Sequence, residues 1–490
     1  MRARSWAARP TPRRILYIAG VVLVAGGVAT APSFLIALLF EEVPTALDLA
    51  LTGVIACTVG GLVVLAAGRP ERMRPKDAFA GVAVAWVTVI AFGSLPYFLG
   101  GAMGFTDSLF ESTSGFTTTG ATVIVDLSQV PHGLLFWRAT TQWLGGMGII
   151  ALSIAVLPLV GSGSLQLARA EAPAPDHDQL TPRFRGTAVR LWGLYAALTV
   201  LAAIVLAFGD MSLFEAIAHA LTSVSTGGFS TESASIGAFS VYSQWVVIAL
   251  MILGGASFGL HVRALRDPGA YLHKPQFRYY VVSLAIGAAL VMFGLYLDGT
   301  GVPVRKALFT AVATITGTGY SVTNYAIWPA ALLSVILLMM FVGGMSGSTT
   351  GALKTYRIVI ILKSAATEVR RLTKPRVVSV SRFGRVPIPP GVVSAVHTYV
   401  VVYVLAFTVG TVLLLYLQSS GATDIDLVTA VSASASAIGN VGPGLGSVGP
   451  DATYATIATP DKWVLAGLMV LGRLEIYPIV LLFTASFWRR

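Results

Sequence analysis

Four short stretches of the chain run from threonine, serine or asparagine into glycine: Thr117-Thr118-Thr119-Gly120, Ser225-Thr226-Gly227-Gly228, Thr316-Gly317-Thr318-Gly319-Tyr320 and Asn440-Val441-Gly442. Their glycines 120, 228, 319 and 442 lie 108, 91 and 123 residues apart, and each turn sits between two apolar segments long enough to cross a bilayer. A ring of backbone carbonyls supplied by four such turns can replace the water shell of a monovalent cation. Carbonyls aimed at one axis need dihedral angles that glycine reaches at little cost and other residues do not. The hydroxyls of Thr118, Thr119, Thr226 and Thr318 can ligate an ion or brace the loop from behind, and the amide of Asn440 can do the latter. One such turn alone reads as an ordinary extracellular loop; four in series read as a filter.

The elements that must position these turns are also legible. Ahead of each lies a short amphiphilic helix start: Ser108-Leu109-Phe110-Glu111, Ser212-Leu213-Phe214-Glu215, Ala307-Leu308-Phe309-Thr310 and Asp426-Leu427-Val428-Thr429. Counted to the filter glycine these give 12, 16, 12 and 16 residues, so the even repeats are expected to carry one extra helical turn that preserves the face. Such helices are too short to span and read as re-entrant; the irregular backbone after them is tolerated at membrane depth only where protein or water buries it.

Composition agrees. Of 490 residues, 55% are hydrophobic and only 11% charged, far more apolar surface than one soluble core would hide. Apolar runs near 15–39, 47–68, 78–99, 133–160, 185–208, 240–262, 279–297, 329–342 with its continuation, 392–416 and 463–488 predict ten crossings. The first lacks a clear cleavage site and is expected to be retained. With the N-terminus inside, the segments 1–14, 69–77, 161–190, 263–278, 354–390 and 489–490 face the cytoplasm and hold 28 of the 33 Lys and Arg. Topology therefore accounts for the net charge of +11, and a nucleic-acid partner is not expected. Glu41, Glu42, Asp107, Glu111, Asp210, Glu215, Asp424 and Asp426 fall on or near the outer loops, where they would concentrate cations or cap helix N-termini. Cys57 is the single cysteine, so no internal disulfide forms. The six histidines are scattered, with His219 and His397 read as packed polar residues, and no hydrolase, metalloprotease or phosphate-loop motif occurs. The chain is not expected to be an enzyme.

The residues Glu111 to Thr122 (ESTSGFTTTGAT), Ser225 to Thr231 (STGGFST), Thr318 to Ser321 (TGYS) and Gly439 to Gly444 (GNVGPG) resemble the four filter loops of the Trk/Ktr/HKT potassium transporters. The resemblance runs from about residue 15 to the C-terminus, and the two spans before the first repeat make it most similar to membrane subunits of bacterial Trk systems. It implies an all-α polytopic membrane protein of ten transmembrane helices, with four fused M1–P–M2 repeats in pseudo-fourfold symmetry. The expected boundaries are a two-helix extension over 1–70 and repeats over 71–165, 180–265, 275–370 and 388–490. It further implies one K+ pathway, with Rb+ and weakly Na+ as other ions, and no cofactor. The assembly implied is a homodimer in the cell membrane, both termini cytoplasmic, with a cytosolic TrkA-like nucleotide-binding regulatory subunit. A serine at the first filter position accompanies sodium transport in some plant relatives; Gly120 stands there in this chain, which favours potassium.

Below the filter the repeats align again. Gly145-Gly146, Gly254-Gly255, Gly343-Gly344 and Gly472-Arg473 follow the filter glycines by 25, 26, 24 and 30 residues. A guanidinium in mid-span costs on the order of 2.5–3.5 kcal/mol and faces a cavity or a partner. Two readings of Arg473 stand: it opposes conduction by facing the pathway, or it pairs with Glu475 or another acid and only locks packing, although residues two apart on a helix do not face each other. The stretch Gly343-Gly344-Met345-Ser346-Gly347-Ser348-Thr349-Thr350-Gly351, followed by Lys354, is poor helix. It is either a cytoplasmic loop or, as the resemblance implies, an intramembrane gate beside Arg473. No nucleotide motif lies in the cytoplasmic segments, so regulation by nucleotides needs a separate protein; the basic loop 354–390 serves such a partner or anionic lipid. Beside the gated pore stand a transporter coupling K+ to H+ or Na+, for which Glu475 is the main carboxylate, and a scaffold without transport.

Overall fold

The computed structural model describes residues 11–70, 75–155, 181–299, 301, 303–374, 381–384, 386–418 and 425–488. The arginine-rich start, most of the connection 161–190, Asp424 and the last two arginines lie outside these residues.

The chain opens with two helices, Pro12–Val28 and Val43–Ala67, joined through Ala31–Leu39. Small residues let their backbones close on each other: a side chain on Gly20 would meet the Gly60 carbonyl, and one on Gly27 the Gly53 carbonyl. An order of elements then recurs four times. A long helix comes first: Pro75–Gly93, Thr181–Ala207, Pro275–Leu297 and Pro390–Gln418. A short buried helix follows: Phe105–Phe116, Leu213–Val224, Val304–Ile315 and Leu427–Gly439. After the glycine turn comes a second helix: His132–Ala155, Val241–Gly255, Ala330–Met339 and Thr459–Arg473.

The long helices carry bare apolar side chains outward, Phe293, Leu405 and Val412 among them, as a hydrocarbon solvent permits. Six helices among the described residues are long and apolar enough to cross a membrane, and a pair bent by 100° between Gly255 and Phe258 makes a seventh. The other second helices do not read as uninterrupted apolar spans. One stops at Met339, and another breaks after Arg473 through left-handed Glu475 (φ 55°) and Ile476 (φ 61°). The all-helical expectation holds apart from a hairpin pairing Arg382–Phe383 with Val386–Pro387.

One sequence expectation is overturned. The even short helices are not a turn longer than the odd ones. The first and third begin at Phe105 and Val304, behind Gly104 and Pro303, so all four start fifteen residues before their filter glycine. Ser212 and Asp426 accept from the backbone as true N-caps, whereas Ser108 and Ala307 lie inside their helices. Matching residue types across repeats had paired a cap with an interior position.

Candidate ion pathway

Each short helix ends in the same way. The backbone N–H groups of Thr118, Thr226, Gly317 and Asn440 donate to residues 115, 223, 314 and 437, and those of Thr119, Gly227, Thr318 and Val441 donate to residues 114, 222, 313 and 436. This is the paired 5→2 and 6→1 arrangement that closes a helix on a left-handed residue. The left-handed residues are Thr118 (φ 51°), Thr226 (φ 52°), Gly317 (φ 66°) and Asn440 (φ 52°). Two are β-branched, at a cost of about 1–3 kcal/mol each, and strain of this kind persists only where the surroundings over-determine it. Two residues further on, Gly120, Gly228, Gly319 and Gly442 are left-handed again, at φ 86°, 79°, 73° and 106°.

The four turns form a closed ring. A methyl group on Gly120 would meet the carbonyl of Gly227, on Gly228 that of Thr318, on Gly319 that of Val441, and on Gly442 that of Thr119. The contact passes from unit one to two, three, four and back to one. No side chain fits at these four positions without moving backbone.

The hydroxyls do less ligation than the residue types suggest. Thr119 and Thr318 bond backwards to Thr117 and Thr316 at 2.7 and 2.8 Å, and Thr226 points down to Thr349 at 3.0 Å. Asn440 donates through Nδ2 to Thr119 Oγ1 (3.0 Å) and to the Met469 carbonyl (2.9 Å), which ties the fourth turn to the first. Residue types alone had not pointed to other braces. Gln142 donates to the Gly227 carbonyl (2.7 Å) and accepts from Phe229 N–H (3.0 Å). Ser436 and Tyr454 donate to the Gly442 carbonyl. Behind the first turn Arg138 Nε meets Glu111 at 2.8 Å, and the carboxylate also accepts from Thr122 and Val123. The signal for this group was Arg138 and Gln142 inside the apolar run 133–160, where ionisable and amide groups are expensive.

A cavity of about 130 Å³ opens above the ring, and Gly120, Gly228, Gly319 and Pro443 form its floor. Its carboxylates among the described residues are Glu232 and Asp451, neither of them among the acids expected to line the mouth. Those acids have other tasks. Glu42 accepts from His132 and Gly133, Asp107 pairs with Lys462, Glu111 is buried against Arg138, Glu215 closes a capping box, and Asp426 caps its helix. Asp210 accepts from Ser240 and Ser243; burial works to raise its carboxyl, and these hydrogen bonds outweigh that and hold it below the usual range. His219 is packed, bonded to Ser230 at 3.0 Å.

Beneath the ring, glycine again marks close approach. Side chains on Gly145 and Gly472 would strike the Phe116 and Ile438 carbonyls, two residues before the left-handed Thr118 and Asn440, and one on Gly254 would meet the Thr226 methyl and press on the Val224 carbonyl. The third unit differs. From Gly343 to Lys354 the backbone leaves the helix, with left-handed Gly343, Gly347, Ala352 and Lys354. It folds under the filter: Met345 N–H donates to the Gly255 carbonyl (2.9 Å), Phe258 N–H to that of Gly347 (3.0 Å), and Thr349 Oγ1 to that of Gly254 (3.2 Å). A side chain on Gly344 would hit the Gly255 carbonyl and one on Gly351 the Gly439 carbonyl. Ser348, Thr349 and Gly351 are buried, while Ser346 and Gly347 are half-buried.

Arg473 is 1% exposed and crosses this layer. Its Nη1 donates to the Thr349 carbonyl (2.6 Å) and its Nη2 to the Gly145 carbonyl (2.9 Å), joining the third unit's loop to the first unit's helix. Its Nε, buried, has no acceptor among the described residues. Glu475 is turned away from it by the left-handed break and lies 2.9 Å from Lys354 and 2.6 Å from Arg357. The guanidinium of Arg357 stacks over the Tyr399 ring at 3.7 Å. Lys354, the last residue of the irregular stretch, is thereby anchored to Glu475 beside Arg357.

Comparison with known proteins gives consistent results. The family model of TrkH, described as a cation transport protein, matches residues 48–296 and 299–490. The chain is 39% identical over 490 residues to the Trk system potassium uptake protein TrkH of Halomonas elongata, covering 98% of this chain and 99% of that one. It is 36% identical over 427 residues to the protein of the same name from Escherichia coli K12, covering 85% and 87%. The crystal structure of the potassium transporter TrkH from Vibrio parahaemolyticus superposes with a TM-score of 0.89 at 32% identity, over 97% of this chain and 99% of that one.

Proposed function

The chain belongs to the TrkH family of cation transport proteins, and from that premise we propose that it is the potassium-conducting membrane subunit of a Trk-type uptake system. The observation that carries the reading is the closed ring in which each filter glycine lies against a carbonyl of the next unit. K+ sheds its water between the mouth at Glu232 and Asp451 and the turns 118–120, 226–228, 317–319 and 440–442, and carbonyl oxygens compensate the lost hydration. Each unit serves as M1–P–M2, and ten crossings bring both termini to the cytoplasm, supported by the inward bias of Lys and Arg.

Flow stops beneath the ring. The loop 343–351 and the guanidinium of Arg473 occupy the layer that an ion leaving the filter must cross, and the fixed positive charge raises the barrier for a cation. Opening requires the Thr349 to Arg473 to Gly145 bridge to break. The helix Thr355–Thr373 continues from the loop toward the cytoplasm, where a nucleotide-binding regulatory subunit would pull on it; the chain acts as a homodimer in this reading. Coupling to H+ is disfavoured because Glu475 is committed to two cations.

The test is K+ and Na+ flux into proteoliposomes holding the purified protein, with and without a pH gradient. Uptake of K+ down its own gradient, in excess of Na+ and indifferent to pH, is the expected result. Uptake that appears only with a proton or sodium gradient contradicts it.

A further inference from the structure

A cleft of about 760 Å³ lies away from the pathway, where the connection between the second and third units meets the hairpin after the third. Arg263, His273, Lys274 and Arg278 line it together with Leu272 and Val386, and among the described residues no carboxylate does. Asp267 is in the same connection but outside the lining. Arg263 and Arg278 are exposed and have no carboxylate partner among the described residues. The hairpin forms a built wall. Gly384 is left-handed (φ 63°) and a side chain there would run into Pro275, Lys363 Nζ donates to the Arg382 carbonyl at 2.7 Å, and Phe383 packs on Tyr279 with ring centroids 5.5 Å apart.

Depth decides the ligand class. Pro275 is the first residue of a long apolar helix, so Lys274, its N-cap, and Arg278, in its first turn, stand at the level where a bilayer changes from headgroup to hydrocarbon. Basic charge there, beside apolar Leu272 and Val386, matches a phosphate group joined to acyl chains. We propose that this cleft binds the headgroup of an anionic phospholipid of the cytoplasmic leaflet. The inference rests on the topology given under Proposed function, and it makes the hairpin a lipid-anchored strut for the helix Thr355–Thr373 that leaves the loop.

Native mass spectrometry of the full chain in detergent, titrated with phosphatidylglycerol, cardiolipin or phosphatidylcholine, tests it. The anionic lipids are expected to be retained over phosphatidylcholine. Each basic side chain near the surface contributes about 1 kcal/mol, or about fivefold, so Arg263→Gln with Arg278→Gln should lower retention about 25-fold. Arg370→Gln with Lys374→Gln, exposed basic residues outside the cleft, should change it less than about twofold. ATP or inorganic phosphate should not displace the lipid. Equal loss in both variant pairs, displacement by soluble phosphate, or no preference for anionic lipid would overturn the proposal. Both pairs should keep K+ flux at saturating anionic lipid, so a failed lipid test leaves the transport reading standing.

Discussion

At the level of Gly120, Gly228, Gly319 and Gly442 the four units are nearly interchangeable. Each places left-handed residues at the same two positions, closes its short helix with the same two hydrogen bonds, and sets its filter glycine against the carbonyl of the corresponding residue in the next unit. Just beneath, the units part company. The first offers a helix carbonyl at Gly145, the second a helix bent at Ala256, the third an irregular loop, and the fourth a guanidinium. Ligating a spherical ion calls for repetition around an axis, whereas a barrier needs one group that crosses it. On the function proposed above, the repeated layer would select and the unrepeated one would control.

Breaking the repeated layer should have the largest effect. Gly228→Ala puts a methyl group on the Thr318 carbonyl at a left-handed position. K+ flux through correctly sized, helical protein in proteoliposomes should fall by more than about tenfold, since strain above about 1.4 kcal/mol already gives that factor. Unchanged flux and K+/Na+ preference would remove the ring from the account.

The anchor of the unrepeated layer comes next. Glu475→Gln leaves Lys354 and Arg357 buried with their charge uncompensated, and breaking such a pair costs about 3–5 kcal/mol. A clear drop in unfolding temperature is expected, while any residual K+ uptake stays independent of a pH gradient. Shortening 345–351 should raise flux several-fold without moving the unfolding temperature as far, and an equal or lower flux in a folded variant would argue against a gate. Thr349→Val, which removes the hydroxyl contacts with Thr226 and the Gly254 carbonyl, should raise flux by about two- to tenfold, because a hydrogen bond contributes about 0.5–1.5 kcal/mol to holding the loop.

The smallest effect lies outside both layers. The Asp210 carboxyl is held below its ordinary value, so its contribution is present above the unfolded pKa and disappears as pH falls through the folded one. Asp210→Asn should lower stability by about 1 kcal/mol at neutral pH. The gap from the parent protein should close in acid, below the ordinary aspartate value of 3.8.

How much of this was legible in the residues follows the same division. The repeated layer was written four times, so Gly120, Gly228, Gly319 and Gly442 could be aligned against one another without any relative, and the left-handed backbone they need is a property of glycine itself. The helix starts misled because Ser212 and Asp426 are caps while Ser108 is interior, and residue type does not separate the two. The mouth misled for a related reason: Glu42, Asp107, Glu111 and Asp426 were taken up by helix ends and by Arg138 and Lys462, leaving Glu232 and Asp451 to line the opening. In the unrepeated layer Arg473 stood out as a mid-span charge, but its acceptors are carbonyls of Thr349 and Gly145, more than a hundred residues away, and backbone acceptors leave no mark on sequence. Gln142, reaching the Gly227 carbonyl across units, was hidden in the same way.

The measurement that tests the division most directly is made on Arg473→Ala in planar bilayers or proteoliposomes, reading the K+ flux and the K+/Na+ permeability ratio from the same preparation. If the ring selects and the layer beneath it controls, the flux rises by about tenfold or more, since a fixed unit charge about 4 Å from a cation opposes it by about 4 kcal/mol at an effective dielectric constant of about 20, and the permeability ratio stays where it was. A ratio that collapses along with the rise, or a flux that does not change, would contradict the separation of the two layers.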